Sequence, residues 1–178
     1  EFTSMLESIK KNNTFTITTG HQLNLFTGPI YFLYKIFTTI NLCDELTQKY
    51  PKFNFIPVYW MATEDHDFKE INHFNFENSK IEWGSDQTGV VGKFLTSELN
   101  TVIEELKRIF PNNKNSTELI SLFKNTYLKS DCLSDATRNF VHLLFRKYNL
   151  LIIDANHKDL KNSFKDFIKK EVKDSSIK

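Results

Sequence analysis

Four polar residues follow a long apolar run near the middle of the chain. Residues 55–62 are hydrophobic almost without interruption, and Glu64, Asp65, His66 and Asp67 come shortly after them. An apolar run bounded by polar residues is typical of a strand buried on both faces of a parallel sheet. Ligands bind just beyond the carboxyl ends of such strands. We therefore interpret these four residues as a candidate site, with Asp65, His66 and Asp67 as acid–base groups.

Polar residues also follow two other predicted strands. If all three strands are parallel, these residues meet the acidic group at one edge of the sheet. They are Gly20, His21 and Gln22 after the strand at 14–19, and Asp154, Asn156 and His157 after the strand at 150–153. The remaining candidate substrate- or nucleotide-binding residues are Thr19, Gly28, Trp60, Asn72 and His73.

The turn after the first strand could bind an anion. Gly20 and Gly28 flank it, and the free amides of a helix N-terminus favour negative charge. His21 could donate to a phosphate or to a developing oxyanion. The pattern is neither GxGxxG nor a P-loop, so a tight turn with Gly28 before Pro29 stays open as the alternative. Lys35, one turn inside the helix, could reach an anion at the sheet edge, but we expect a snorkelling lysine.

A metal site is a second interpretation of the acidic stretch. His66, Glu70 and His73 would share one face of a helix, a spacing that suits a metal. Acidic residues at a helix start are also favoured by the helix dipole without any function. We assign no metal ligand.

The hydrophobic periodicity predicts an α/β fold, with a parallel sheet built from a βαβ unit and a small inserted β-hairpin and helical segment. We predict a strand, a helix from Tyr31 to about residue 49 and a second strand at 55–63. Three regions follow from this pattern. The first is a βαβ part at 1–73, and the second is an inserted connective segment at 74–130 with a hairpin at 74–94 and helices near 99–110 and 116–127. The third is a return to the core at 131–178 with a helix near 134–148, a strand and a last helix.

The composition is that of an ordinary soluble domain. The 178 residues carry a net charge of +1 and contain no long basic tract, so we expect no nucleic-acid partner. No stretch of about 20 apolar residues is visible, so we expect no membrane span. Cys43 and Cys132 form no CxxC motif, which indicates reduced cysteines in a cytoplasmic protein.

Three blocks of the sequence resemble a known family. The stretches TTGHQLNLFTGPIYFLYK at 18–35 and PVYWMATEDHDFKEINH at 57–73 are similar to the two signature blocks of BshC, the cysteine ligase family of bacillithiol biosynthesis. The stretch NLLIID at 149–154 resembles a third block. The resemblance covers nearly the whole chain, and we expect the chain to be an N-terminal-side portion of a longer enzyme.

The resemblance implies a Rossmann-like core related to class I nucleotidyltransferases. It also implies addition of L-cysteine to glucosaminyl malate through an amide bond, and a homodimer in the full-length family. The nucleotidyltransferase motif HxGH is absent, and Thr19 to Gln22 occupy its place at the first strand-to-helix turn. The phosphates of ATP or another nucleotide would then lie near Gly20, His21 and Gly28.

Two other functions stay open. A nucleotide- or sugar-binding module would bind ligands without forming an amide product. A metal-dependent hydrolase would depend on the stretch from Glu64 to His73.

Overall fold

The computed structural model describes residues 2–174, with the side chains of 2–4, 27 and 174 left out. Residues 1 and 175–178, which belong to the first and third predicted regions, lie outside the described part. The helices and strands in chain order are α1 (Phe2–Ile9), β1 (Thr14–His21), α2 (Tyr31–Lys49), β2 (Asn54–Met61), α3 (Phe68–Ile71), β3 (His73–Phe76), β4 (Ser79–Glu82), α4 (Leu99–Ile109), α5 (Lys114–Tyr127), α6 (Leu133–Phe145), β5 (Leu151–Asp154) and α7 (Lys158–Asp174).

The main sheet has three parallel strands in the order β1–β2–β5. Helix α2 connects β1 to β2, and the segment from α3 to α6 connects β2 to β5. Strands β3 and β4 form a separate antiparallel hairpin within that second connection. The predicted α/β class with a parallel sheet and an inserted hairpin is therefore confirmed.

The hydrophobic core lies on one face of the sheet. Tyr59 and Met61 of β2 are fully buried there against Ile36 of α2 and residues of α4, α5 and α6. The opposite face is open at β1, where Thr16 and Thr18 are exposed, whereas Ile56 and Val58 of β2 are buried on it. Helix α7 lies near this open face. Side chains alternate between the two faces along a strand, so neighbouring residues at the end of β2 point into different environments.

Several predicted element boundaries are wrong by a few residues. β2 ends at Met61 instead of residue 63, because the Thr63 amide turns back to the Met61 carbonyl at 2.8 Å. The end of the predicted hairpin region forms a 3₁₀ turn, Val91–Lys93, since β3 and β4 already pair with each other. α5 begins before Ser116, whose amide donates to the capping side chain of Asn113. α1 was not predicted.

No helix within residues 2–174 is long and apolar enough to cross a membrane. Cys43 is buried and Cys132 is partly exposed, and both are free thiols, as the sequence predicted. Burial raises the pKa of the Cys43 thiol to about 11.

Candidate functional site

The carboxyl ends of the three parallel strands meet at one edge of the sheet, as predicted. In the sheet register His21 lies opposite Met61, and Met61 lies opposite Asp154. Neighbouring strands are about 4.8 Å apart, so the backbones of His21 and Asp154 are separated by roughly 10 Å. A ligand of modest size at this edge could touch residues from all three strands.

His21 is half-buried at the end of β1. Its ring meets Phe32 of α2 edge-on, with centroids 5.6 Å apart. The Nδ1 atom lies 3.2 Å from the Gln22 carbonyl, which only accepts hydrogen bonds, so this contact favours the neutral tautomer with the proton on Nδ1. Burial lowers the pKa of His21, and the charge of Lys35 lowers it further. His21 is therefore suited to act as a neutral base or hydrogen-bond partner.

Lys35 takes a more specific position than the sequence suggested. Its Nζ donates to the carbonyl oxygen of Gly20 and lies 5.6 Å from the ring centre of Tyr31. The ammonium thus sits at the carboxyl end of β1. The sequence signal for this location is the position of Lys35, one turn after the start of α2.

Asp65 is held by a dense set of hydrogen bonds. Its Oδ1 accepts from the amides of His66 at 2.6 Å and Asp67 at 3.0 Å. Its Oδ2 accepts from Nε2 of Gln22 at 2.7 Å, and the same nitrogen donates to Glu70 at 2.8 Å. The Asp67 amide, followed by Gln22, lowers the pKa of the Asp65 carboxyl. Asp65 therefore suits a positioning role better than that of a general base.

His66 and Asp67 are exposed beside this network and are free to meet a ligand. The predicted helical face of His66, Glu70 and His73 is wrong, because α3 covers only residues 68–71. His66 precedes that helix and His73 begins β3. Within residues 2–174 no three His, Cys, Asp or Glu side chains come together as a metal site.

Two predicted binding residues hold the hairpin in place. Nδ2 of Asn72 donates to the Trp83 carbonyl at 3.1 Å, and the Trp83 amide donates to the Asn72 carbonyl at 2.7 Å. The His73 ring lies 3.0 Å from Oδ1 of Asn72. Asn72 and His73 thus make structural contacts at the start of the hairpin.

Gly28 has a structural role in the turn after β1. Its amide donates to the Leu25 carbonyl at 2.8 Å, and its φ is +39°. A Cβ on this residue would lie 2.6 Å from the Cβ of Asn24. These contacts favour the tight-turn interpretation of Gly28 over phosphate binding.

Asp154 joins the ends of β2 and β5. The buried Thr63 hydroxyl donates to Oδ1 of Asp154. The Asn156 amide donates to both oxygens, at 3.0 Å to Thr63 and 2.9 Å to Asp154. Arg138 of α6 lies 3.7 Å from Oδ2 of Asp154. Thr63 and Arg138 were not predicted, and no local pattern links them to Asp154.

The inserted segment also contacts the loop after β2. The Val91 amide donates to the Asp65 carbonyl at 2.8 Å, and the Gly92 amide donates to the Thr63 carbonyl at 3.2 Å. A Cβ at Gly92 would lie 2.6 Å from the Thr63 carbonyl oxygen. The loop that carries the acidic residues is therefore held by Gln22, by Asp154 and by the turn at 91–92.

The other predicted residues lie on both faces of the sheet. Thr19 pairs with Tyr59 and points to the same side as His21, whereas Trp60 pairs with Gly20 on the opposite side. Glu64 follows β2 and borders a small cavity together with Trp60. The structure thus separates Trp60 and Glu64 from the group formed by His21, Gln22 and Asp65.

Comparison with known proteins identifies a family. The family model described as "Bacillithiol biosynthesis BshC, N-terminal Rossmann-like domain" matches residues 1–178. A Flavobacterium johnsoniae protein named "Putative cysteine ligase BshC" is 52% identical over 167 residues, which cover 94% of this chain and 32% of that relative.

Two more relatives carry the same name. One, from Flavobacterium psychrophilum, is 50% identical over 92% of this chain and 31% of its own length. Another, from Staphylococcus saprophyticus, is 32% identical over 85% of this chain and 30% of its own length. The chain spans about a third of the length of the curated relatives it matches.

Proposed function

This chain belongs to the BshC family, and from this premise we propose that it is the Rossmann-like part of a ligase that joins L-cysteine to glucosaminyl malate in bacillithiol biosynthesis. The bond formed would be an amide. The observation that supports the proposal most is the alignment of His21, Met61 and Asp154 at one edge of the sheet. A cytoplasmic location and a homodimer of the longer protein belong to the same proposal.

The acidic side of this edge suits the amine substrate. Amide formation needs a neutral amine, and an amino sugar arrives as an ammonium ion. Glu70 is an exposed carboxylate bonded to Gln22, Asp67 is exposed on the loop before it, and both would attract that ion. The exposed imidazole of His66 could then accept the ammonium proton, while Asp65 holds the loop in place.

The β1 side of the edge suits the carboxyl group that becomes activated by adenylation or phosphorylation. Lys35 supplies a positive charge at the end of β1, and Gly20 presents backbone without a side chain. His21 adds a neutral imidazole at the same strand end. These residues fit a nucleotide phosphate better than the acidic β2 side does, and a bound ATP would supply activation of the carboxyl group.

A chimeric enzyme tests the proposal. This chain replaces the matching 167 residues of the F. johnsoniae relative, and the chimera is incubated with cysteine, glucosaminyl malate and ATP while product mass is followed. We expect product from the chimera. His21→Ala should lower kcat by about 100-fold, as expected for loss of an acid–base group. Asp65→Ala should raise KM for the amino sugar as well as lower kcat.

Unchanged turnover in both variants would remove these residues from the mechanism.

The second candidate function is a binding module. The use of both Asp65 oxygens in structural hydrogen bonds favours this candidate. A chimera that binds glucosaminyl malate but forms no product, beside an active intact relative, would support that candidate instead.

A further inference from the structure

A small cavity lies on the face of the sheet opposite His21, under helix α7. Its volume is about 220 Å³. Trp60, near the end of β2, forms one wall, and Phe164 and Ile168 of α7 form another. Glu64 and Lys161 are its two charged wall residues. The cavity is smaller than the 300–1,000 Å³ of typical drug-sized sites, so it suits a ligand of few atoms.

The carboxylate of Glu64 is incompletely satisfied. Its Oε2 atom is buried and has no hydrogen-bond partner among the described residues. Lys161 borders the same cavity, but its ammonium does not reach that oxygen. Leaving a buried acceptor without a donor is destabilising, and more so for a charged group. Because this oxygen is shielded from the cavity, the Glu64 side chain must rotate to present it to an N–H donor of a bound ligand, and that contact would recover the lost free energy.

The cavity walls match the charges of a free amino acid. The Glu64 carboxylate and the Trp60 ring both attract an ammonium group, the first by charge and hydrogen bonding and the second by a cation–π contact. Lys161 offers a positive charge for a carboxylate. Phe164 and Ala155 give apolar surface for a short side chain.

We propose that this cavity binds a small zwitterionic amino acid through Glu64, Trp60 and Lys161. The choice of cysteine among such amino acids rests on the proposed function. Trp60 lies beside Gly20 in the sheet register, and an added Cβ on Gly20 would be 3.8 Å from Cδ1 of Trp60. The cavity therefore borders the end of β1 at Gly20, on the face of the sheet opposite His21.

Calorimetric titration of the 178-residue chain with L-cysteine, in the presence of a phosphine reductant, tests the proposal. We expect one saturable site. N-Acetyl-L-cysteine lacks the ammonium and cysteamine lacks the carboxylate, so each should bind at least tenfold more weakly. L-Alanine and L-serine report whether the site distinguishes cysteine from other small amino acids.

Three variants locate the site. Glu64→Gln keeps the shape of the side chain and should weaken cysteine binding at least tenfold, and Lys161→Met should weaken it about fivefold, in line with loss of a charge-assisted contact. Lys165→Met, on the same helix but outside the cavity wall, should bind like the unmodified chain. If Glu64→Gln does not fold by circular dichroism, Lys161→Met on the exposed helix decides.

The outcomes separate this proposal from the ligase function. No cysteine binding, or equal affinity in Glu64→Gln, Lys161→Met and Lys165→Met, overturns the amino-acid site while an active chimera keeps the ligase function. Binding that depends on Glu64 and Lys161, with no product from the chimera, supports the site and removes the ligase function. Equal affinity for cysteamine overturns the role of Lys161.

Discussion

The side-chain amide of Gln22 donates to Oδ2 of Asp65 over 2.7 Å, although 43 residues separate them in the chain. This bond joins the carboxyl end of β1 to the loop after β2. The same nitrogen also bonds Glu70, so one neutral amide lies between two carboxylates. The geometry of the acidic loop therefore depends on Gln22.

Replacing Gln22 with Glu tests this dependence. The variant keeps the size of the side chain but places a third carboxylate against Asp65 and Glu70, so we expect the free energy of unfolding to fall by about 1–2 kcal/mol at pH 7. The loss should shrink at pH 4, where carboxylates take up protons. Urea denaturation measures both values. Gln48→Glu, on the exposed side of α2, is the control, and equal losses in the two variants would contradict the prediction.

Acidification should destabilise the protein through His21. Burial and then Lys35 place its native pKa below the ordinary value of 6.5. As the pH falls below 6.5, the unfolded chain binds a proton at His21 before the native state does, so the free energy of unfolding decreases until the native pKa is passed. The stability contributed by the neutral His21 imidazole is fully present above pH 6.5.

His21→Gln should remove that dependence. We expect the difference in unfolding free energy between pH 8 and pH 5 to be smaller in this variant than in the unmodified chain. Guanidinium denaturation at both pH values gives the difference. His157→Gln, at an exposed histidine, serves as the control. An unchanged pH dependence in His21→Gln would argue against a buried neutral imidazole.

Removing the Thr63 hydroxyl should loosen the end of β5. Thr63→Val keeps the shape but deprives Asp154 of a donor and the Asn156 amide of one acceptor. We expect a loss of about 1–3 kcal/mol in unfolding free energy, and faster hydrogen exchange at the Asn156 amide by NMR. Thr63→Ser retains the hydroxyl and should exchange like the unmodified chain. Slow exchange in Thr63→Val would show that Asp154 alone holds this turn.

An alanine at position 92 should displace the loop after β2. The new Cβ would meet backbone atoms of Thr63 at 2.6 Å, and a backbone carbonyl cannot rotate away as a side chain can. We expect a loss of about 1–3 kcal/mol in unfolding free energy, typical of overpacking. Gly84→Ala is the matched control, because nothing lies within 4 Å of its Cβ position. Equal melting temperatures in the two variants would contradict this contact.

The parallel sheet and its shared polar edge were predictable because the signals are local. The β-branched stretch before Gly20 and the apolar runs before Glu64 and Asp154 each mark a strand and its polar end. The connecting helix α2 then requires parallel pairing of the first two strands. The structure confirms this part from the strand register.

The roles of individual site residues were less predictable, since they depend on distant partners. Asp65 bonds Gln22, and Asp154 bonds Thr63 from 91 residues away. No spacing rule joins such pairs. The predicted metal face failed for a related reason: pairing of β3 with β4 ends α3 after a single turn, so the helical spacing of His66 and His73 does not apply.

The long separation between Thr63 and Asp154 has a consequence for how the polypeptide acquires its shape during synthesis. β1, α2 and β2 leave the ribosome before β5, the second partner strand of β2, which is translated only after the whole inserted segment. Loop closure over such a distance slows folding. The polar edge is therefore completed late, and one hydrogen-bonding edge of β2 stays without its partner strand until then.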